Sequence, residues 1–173
     1  MTAAPSGASK DWQGRFFEDL EVGDRFRSRI GRTITEADNV WFTCLTHNTN
    51  QIHFNDVYAA ELPYDRALVN STLTLALVTG LTVPDVSENA VANLSWTDIV
   101  LPRPVFVGDT LWAETEVLTL RLSESRPELG IVGVRSRGIN QRDEVVIQFT
   151  RSFMLKRRSQ RHETVFASIP WLD

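Results

Sequence analysis

The sequence predicts an α+β fold in which an antiparallel sheet wraps around one long central helix at about residues 68–83. Residues 68–83 carry apolar side chains on nearly all sides, as in a helix buried on most of its surface. Pro84 follows directly and is expected to end the helix. Four long segments then alternate apolar and polar residues, as strands with one buried face do: residues 90–100, 110–122, 130–139 and 144–155. With 173 residues, 42% of them hydrophobic, the chain can bury one such core.

The outer parts of the chain differ in composition from this predicted core. Residues 1–14 are small and polar, which predicts a flexible lead-in. We expect a single domain over residues 15–158 and a C-terminal tail over residues 159–173. A sheet of this kind exposes an unpaired edge, and pairing that edge with a second copy removes it, so we expect at least a dimer.

A helix is predicted from Thr35 to about Thr46, before the central helix. Thr35 is a good N-cap, and the acidic Glu36 and Asp38 suit the first turn. Its apolar stripe consists of Val40, Trp41, Cys44 and Leu45. We expect Cys44 to be a small buried hydrophobe, as most free cysteines are.

Two further segments separate this helix from the central one. Residues 47–51 form a polar loop that contains Asn48 and Asn50, and asparagine is favoured in turns. A short helix is then expected over residues 56–61, capped by Asn55 or Asp56 and ended by Pro63. Near the C-terminus, residues 140–143 predict the hairpin turn between the last two strands.

Composition and charge exclude several classes of protein. Lys and Arg total 18 against 22 Asp and Glu, and this net charge of -4 argues against a dedicated nucleic-acid-binding protein. One cysteine excludes an internal disulfide framework, and no Cys/His cluster has the spacing of a zinc site. Because there is neither a signal peptide nor a stretch of about 18 consecutive apolar residues, we expect a cytoplasmic protein with no membrane contact.

Positive charge is concentrated in the last part of the chain. Residues 121–161 hold 10 basic and 4 acidic residues, a net charge of +6. Such a region either steers an anionic ligand or marks the solvated faces of strands.

His53 is the first candidate for acid/base chemistry, because it follows the polar loop and histidine titrates near neutral pH. Asn48 and Asn50 lie five and three residues before it, close enough to share a pocket. Spacing alone leaves the alternatives open, since a lone histidine is more often structural and asparagines are common in turns.

Several motifs in a fixed order resemble the MaoC-like hydratase/dehydratase family. They lie at residues 16–24, 31–38, 48–53, 58–60 and 108–111. Three more motifs resemble the branch that hydrates mesaconyl-CoA, itaconyl-CoA or beta-methylmalyl-CoA, at residues 68–71, 125–127 and 138–142. This resemblance implies a hot-dog fold, a dimer or a pair of fused repeats, and reversible addition of water to a 2-enoyl-CoA, here a branched C5 dicarboxylyl-CoA. For this chain we expect a homodimer or higher homo-oligomer.

The resemblance also implies a catalytic loop in which one family residue is replaced. The family motif Asp-x-Asn-Pro-x-His matches residues 48–53, but Asn48 stands at the Asp position and Gln51 at the Pro position. An amide cannot take a proton as a carboxylate does. We therefore expect His53 to act alone as acid and base while Asn48 and Asn50 orient the water and the loop.

Two alternatives to that arrangement remain. Another carboxylate, Asp56 or Glu61, supplies the missing group, or the chain has lost turnover and binds acyl-CoA as a silent subunit of a heteromer. A hot-dog thioesterase is a further alternative, which needs a carboxylate to activate water, and Asp65 is the nearby candidate.

Other residues are assigned by the same resemblance. The Ser71 N–H, at the start of the central helix, is expected to stabilise the thioester oxyanion, with Asn70 beside it. Thr79 matches a position near the acyl pocket, although we favour a bond to its own helix backbone. Arg66 and Arg126 are candidates for the second carboxylate of the substrate, although for either one taken singly a surface arginine is the favoured interpretation. Candidates for the phosphates of coenzyme A, or for a solvated tail, are Arg151, Lys156, Arg157, Arg158 and Arg161. Coenzyme A is expected only as part of the substrate, with no metal or redox cofactor.

Overall fold

The computed structural model describes residues 13–160. Residues 1–12 of the expected lead-in and residues 161–173 of the expected tail, including Arg161, lie outside this range. The strands are β1 (Arg25–Arg27), β2 (Arg32–Thr33), β3 (Ala90–Val100), β4 (Thr110–Leu122), β5 (Leu129–Asn140) and β6 (Val145–Lys156). The helices are α1 (Glu36–Leu45), α2 (Asp56–Ala60) and α3 (Ser71–Leu81), with a π-helical turn at Val83–Ser87.

The strands form one antiparallel sheet in the order β1-β4-β5-β6-β3, and β2 pairs with the start of β4. Alternate residues of β4, β5 and β6 face the core, as do the directly paired Val132 of β5 and Phe153 of β6. None of the residues of β3 is buried in the described chain. Strand β3 lies at one edge and pairs only with β6 in the described chain. The predicted antiparallel sheet and α+β class are confirmed.

Helix α3 packs on the inner face of the sheet, against β4 and β5. Val78 is fully buried there, within a cluster that also holds Ile147 and Phe149. A Cβ built on Gly138 of β5 meets Val78 at 2.6 Å, so glycine allows the helix to approach the strand this closely. The helix is shorter than predicted because Asn70 caps its first turn and Pro84 lies in the π-helical turn.

Helix α1 follows the predicted bounds but buries its polar side. Thr35 caps it by accepting from the Asp38 N–H, and Asp38 accepts from the Thr35 N–H in return. The expectation that Cys44 is buried is wrong, because its side of the helix faces outward. Trp41 and Leu45 are 69% and 72% exposed. The residues that face inward are Asn39 and Thr43, which bond to groups at the start of α3.

The side chain of Arg151 lies inside the domain, contrary to the expectation that it meets the phosphates of coenzyme A. The residue is 2% exposed on the inner face of β6, where its Nη2 donates to Thr82 and Ser87 at 3.3 and 3.0 Å. Its guanidinium stacks on the Phe153 ring, and burial lowers the pKa of Arg151 to about 10. Arg151 therefore cannot contact coenzyme A phosphates at the surface.

Arg157 and Arg158 lie at the surface, where they pair with Glu18 and Asp19 near the start of the domain. These pairs tie the end of the sheet to the first turn.

None of the helices that residues 13–160 form has the length and hydrophobicity of a membrane-spanning helix.

Candidate active site

His53 lies at the end of a short 3-10 turn, Gln51–His53, that is anchored to the chain just before α3. Its Nδ1 is 2.9 Å from the carbonyl oxygen of Leu68. Because a carbonyl oxygen only accepts, this contact assigns the proton of the neutral ring to Nδ1. Nε2, which has no hydrogen bond to a described residue, then carries the lone pair and can accept a proton.

His53 lines a cleft of about 230 Å³ between α1, α2 and the segment before β4. Arg66 and Phe106 line the same cleft, and the acidic Glu36 and Asp56 stand at its wall. The cleft thus combines a titratable imidazole, a cation and an aromatic surface. Such a set suits a ligand with an apolar body and an anionic group.

Arg66 is held over the ring of Phe106, with its guanidinium carbon 3.7 Å from the ring centroid. Tyr64 packs edge-on against the same ring. Within residues 13–160, Arg66 has no carboxylate partner, so the N–H edges of its guanidinium remain available for a ligand carboxylate. The structure therefore places Arg66 and His53 in the same cleft.

Arg126 lies in the turn between β4 and β5, and the structure does not bring it to this cleft. It pairs with Glu128 at 3.2 Å on the surface. Asp65 and Glu61 are also absent from the cleft lining, whereas Asp56 is part of it. Of the carboxylates considered from sequence, only Asp56 shares the cleft with His53.

The two asparagines of the polar loop shape the turn that carries His53. Asn48 Oδ1 accepts from the Asn50 N–H at 3.0 Å, and Asn50 Oδ1 accepts from the Ile52 N–H at 3.2 Å. Neither residue is among those that line the cleft. In the single chain their observed contacts are those of a turn.

Asn70 is engaged in capping α3 and is 1% exposed. Its Oδ1 accepts from the N–H and hydroxyl of Thr72, and its Nδ2 donates to Thr43. Ser71 follows as the first helical residue and is exposed, and neither Asn70 nor Ser71 is among the residues that line the cleft. Its N–H has no acceptor among the described residues, as first-turn N–H groups do not, and is free for an oxyanion.

Thr79 differs from the favoured expectation. Its Oγ1 is buried and has no hydrogen-bond partner within residues 13–160, so the expected bond to its own helix backbone is wrong. The residue lies on α3 eight positions after Ser71, about 12 Å along the axis at 1.5 Å per residue.

Sequence reasoning missed Asn39, which lines the cleft and is 1% exposed. Its Nδ2 donates to the carbonyl oxygens of His53 and Leu68, and its Oδ1 accepts from the Asn70 N–H. The available signal was the pair of polar residues, Asn39 and Thr43, spaced four apart on a helix whose other side is apolar.

A larger groove of about 550 Å³ lies on the outer face of the sheet. Its walls are ion pairs between strands, such as Glu114 with Arg27 and Arg137. None of the residues predicted for catalysis lines it. No group of three potential metal-ligating side chains occurs among residues 13–160.

Comparison with known proteins shows the family of this chain. The sequence model of the mesaconyl-CoA hydratase family matches residues 3–165. The chain belongs to this family. It is 35% identical over 159 residues to a mesaconyl-CoA hydratase of Cereibacter sphaeroides, covering 92% of this chain and 46% of that protein. It is 36% identical over 166 residues to a beta-methylmalyl-CoA dehydratase of Chloroflexus aurantiacus, covering 94% and 47%.

Solved structures of similar proteins show the same fold. A putative MaoC domain protein dehydratase from Chloroflexus aurantiacus superposes with a TM-score of 0.82 at 34% identity, over 96% of this chain and 47% of that one. A Mycobacterium tuberculosis protein with a double hotdog fold gives a TM-score of 0.76 at 25% identity, over 87% and 47%. This member of the mesaconyl-CoA hydratase family therefore has a hot-dog fold and spans about half the length of these relatives.

Proposed function

We propose that this chain catalyses the reversible hydration of a branched 2-enoyl-CoA whose acyl group carries a second carboxylate, of the mesaconyl-CoA type. The observation that carries the proposal is the contact between His53 Nδ1 and the Leu68 carbonyl, in a cleft shared with Arg66. The names of the curated relatives support the same substrate class.

The proposed reaction needs one group that both takes and returns a proton. His53 Nε2 removes a proton from water, the water oxygen adds to the β-carbon, and the electrons of the C=C bond move toward the thioester carbonyl. The imidazolium then gives its proton to the α-carbon, so one water is added and the ring returns to its neutral form. The Ser71 N–H stabilises the oxyanion that develops on the thioester.

Asn48 replaces the carboxylate of the family motif and has no proton to exchange. Its Oδ1 accepts from the Asn50 N–H and it does not line the cleft, so we assign it to shaping the loop that carries His53 and not to holding the attacking water. The acid/base work is thus assigned to His53 alone. Arg66 binds the second carboxylate, for which its guanidinium geometry is suited.

We also propose a homodimer formed by the free edge of β3. This strand exposes apolar side chains along its length, among them Leu94, Trp96, Ile99 and Val100. An unpaired apolar edge favours pairing with another strand, and a second copy supplies an identical one. The curated relatives are about twice as long, which leaves room for a second hot-dog unit beside the region that this chain matches. Light scattering of the purified chain tests the dimer, and a monomer at micromolar concentration contradicts it.

The function is tested by following the loss of enoyl-thioester absorbance with mesaconyl-, itaconyl- and crotonyl-CoA. We expect faster turnover of a dicarboxylic substrate than of crotonyl-CoA, with no release of free CoA thiol. Release of thiol instead indicates a thioesterase, although Asp65 does not line the cleft. Binding of these thioesters without any turnover supports the silent-subunit alternative and refutes the proposal.

A further inference from the structure

We propose that Asn39 is a positioning residue that holds the His53 ring and the first turn of α3 in one geometry. The inference rests on the proposed hydration, in which His53 exchanges the proton and the Ser71 N–H receives the oxyanion. It concerns a residue on α1, outside the loop that resembles the family's catalytic motif.

One buried carboxamide connects three separate backbone positions. Asn39 Nδ2 donates to the His53 carbonyl at 2.8 Å and to the Leu68 carbonyl at 3.1 Å. Asn39 Oδ1 accepts from the Asn70 N–H at 2.8 Å. These bonds use both hydrogens of Nδ2 and one lone pair of Oδ1, so the amide is matched to its surroundings.

The Leu68 carbonyl links Asn39 directly to the imidazole. This oxygen accepts from Asn39 Nδ2 and also from His53 Nδ1. Asn39 therefore holds the main chain of His53 and, at the same time, the acceptor that orients the His53 ring and sets its tautomer. A group that fixes the acceptor of a catalytic histidine acts on the basicity and direction of the other ring nitrogen.

The third bond of Asn39 extends the same control to the oxyanion donor. The Asn70 N–H that it binds immediately precedes the Ser71 N–H in the chain. Thr43, one turn further along α1 and fully buried, accepts from Asn70 Nδ2 at 3.3 Å. Helix α1 thus holds both the turn that carries His53 and the residue before the Ser71 N–H. These bonds explain why the helix turns its polar side inward.

The Asn39→Asp variant tests the role with little change of shape. Aspartate keeps an acceptor for the Asn70 N–H but has no hydrogens for the carbonyls of His53 and Leu68. We expect kcat to fall by about 10²-fold, the size of effect that a displacement of about 1 Å can cause, with KM changed far less. Thr115→Val is the control, since it breaks a buried hydroxyl pair with Ser136 on the sheet, away from the cleft.

A spectroscopic measurement separates positioning from general loss of structure. In protein labelled with ¹⁵N-histidine, the His53 signals, assigned by their loss in His53→Ala, report which ring nitrogen is protonated. In the wild type with a neutral imidazole we expect a protonated Nδ1 and an unprotonated Nε2. In Asn39→Asp we expect the two nitrogen shifts to move toward an average of tautomers, and in Thr115→Val we expect them to stay in place.

The possible outcomes each decide the question. A wild-type His53 protonated at Nε2 overturns the proposal without any variant, even where Asn39→Asp does not fold. Unchanged kcat and unchanged His53 shifts in a folded Asn39→Asp protein also overturn it, as does an equal fall of kcat in Thr115→Val. If the shifts respond as expected but no enoyl-CoA is hydrated, the positioning of the ring stands and the proposed hydration fails.

Discussion

Replacing Asp109 with Asn perturbs the turn that holds Phe106 and, through it, the wall of the cleft under Arg66. Asp109 is 5% exposed, and its Oδ2 accepts from the Phe106 N–H at 3.0 Å. Its Oδ1 accepts from Gln141 Nε2 at 2.7 Å and from Arg142 Nη1 at 3.2 Å. All of these partners are donors, so the carboxylate is matched on both oxygens.

An asparagine has one amide nitrogen, Nδ2, in place of one of the two carboxylate oxygens. In either orientation of the side-chain amide, this Nδ2 donor faces another donor. The variant loses at least one hydrogen bond to a charged group and leaves a buried donor unpaired, a cost of about 2–4 kcal/mol in the free energy of unfolding. Arg142 adds little to this figure, because its side chain is 49% exposed and its ion pair with Asp109 is screened by water. Because Phe106 supports Arg66, we also expect KM for a dicarboxylic substrate to rise.

The same carboxylate makes the effect depend on pH. Burial alone raises the pKa of Asp109, but the hydrogen bonds from Gln141, the Phe106 N–H and Arg142, together with the Arg142 charge, lower it below the usual value. A pKa that is lower in the folded state contributes stability above the unfolded value of about 3.9, and this stability is lost as pH falls through the folded pKa. The difference between wild type and Asp109→Asn is therefore complete at neutral pH and shrinks in acid.

Urea unfolding followed by tryptophan fluorescence measures this difference at one protein concentration, from neutral pH down to the acid limit of folding. Other carboxylates titrate in both proteins, so their contributions cancel in the comparison. Equal stability of the two proteins at neutral pH, or a gap that does not shrink in acid, refutes the assignment of Asp109 as the anchor of this turn.

Two further substitutions test charges placed by the structure. Arg66→Met is expected to lower kcat/KM for mesaconyl-CoA by about 10-fold or more, because a charge-assisted bond is lost, while turnover of crotonyl-CoA is largely kept. Parallel losses on both substrates in the absorbance assay contradict carboxylate recognition by Arg66. Arg151→Met is expected to keep or raise the melting temperature, because in the described chain the buried charge has no carboxylate partner, hydrogen-bonds only to two hydroxyls and has an unpaired Nε. A calorimetric loss as large as that of Arg151→Ala shows that the charge itself stabilises the fold.

Strands β4, β5 and β6 were predictable because each has one buried face, whereas β3 alternates in sequence but buries none of its residues in the described chain. The alternation predicted residues 90–100 and 110–122, and the structure has β3 at Ala90–Val100 and β4 at Thr110–Leu122. The same alternation placed Arg151 in a row with Ile147 and Phe149, which are both buried. The prediction that Arg151 contacts coenzyme A rested on its charge alone, although the alternation already places it on the buried face of the strand.

The buried side of helix α1 could not be predicted from the local sequence pattern. Its bounds follow from local capping by Thr35 and Asp38, but which side is buried depends on groups distant in sequence. Asn39 faces inward because the backbone of His53, Leu68 and Asn70 needs partners, and no local pattern contains that information. The apolar stripe faces outward in the single chain, so hydrophobicity alone predicted the wrong side for Cys44.

Part of the candidate site was accessible from sequence, and part was not. His53 and Arg66 were both expected near the substrate, and the structure places them in one cleft. Their proximity depends on how the segment before α3 folds back on the Gln51–His53 turn, through the bond from the Leu68 N–H to the Ile52 carbonyl. The polar pair Asn39 and Thr43 marks one side of α1 in the sequence, but the role of Asn39 consists of contacts between three segments and is visible only in the assembled structure.

The most direct test of the central claim is the rate of mesaconyl-CoA hydration by His53→Ala, compared with His47→Asn. His47 lies in the same polar loop, has a φ of 53° that asparagine tolerates, and does not line the cleft. We predict that His53→Ala lowers kcat/KM by about 10²–10⁴-fold, the usual contribution of a general acid/base, while His47→Asn stays near the wild type. A folded His53→Ala protein that hydrates mesaconyl-CoA at the wild-type rate would contradict the account.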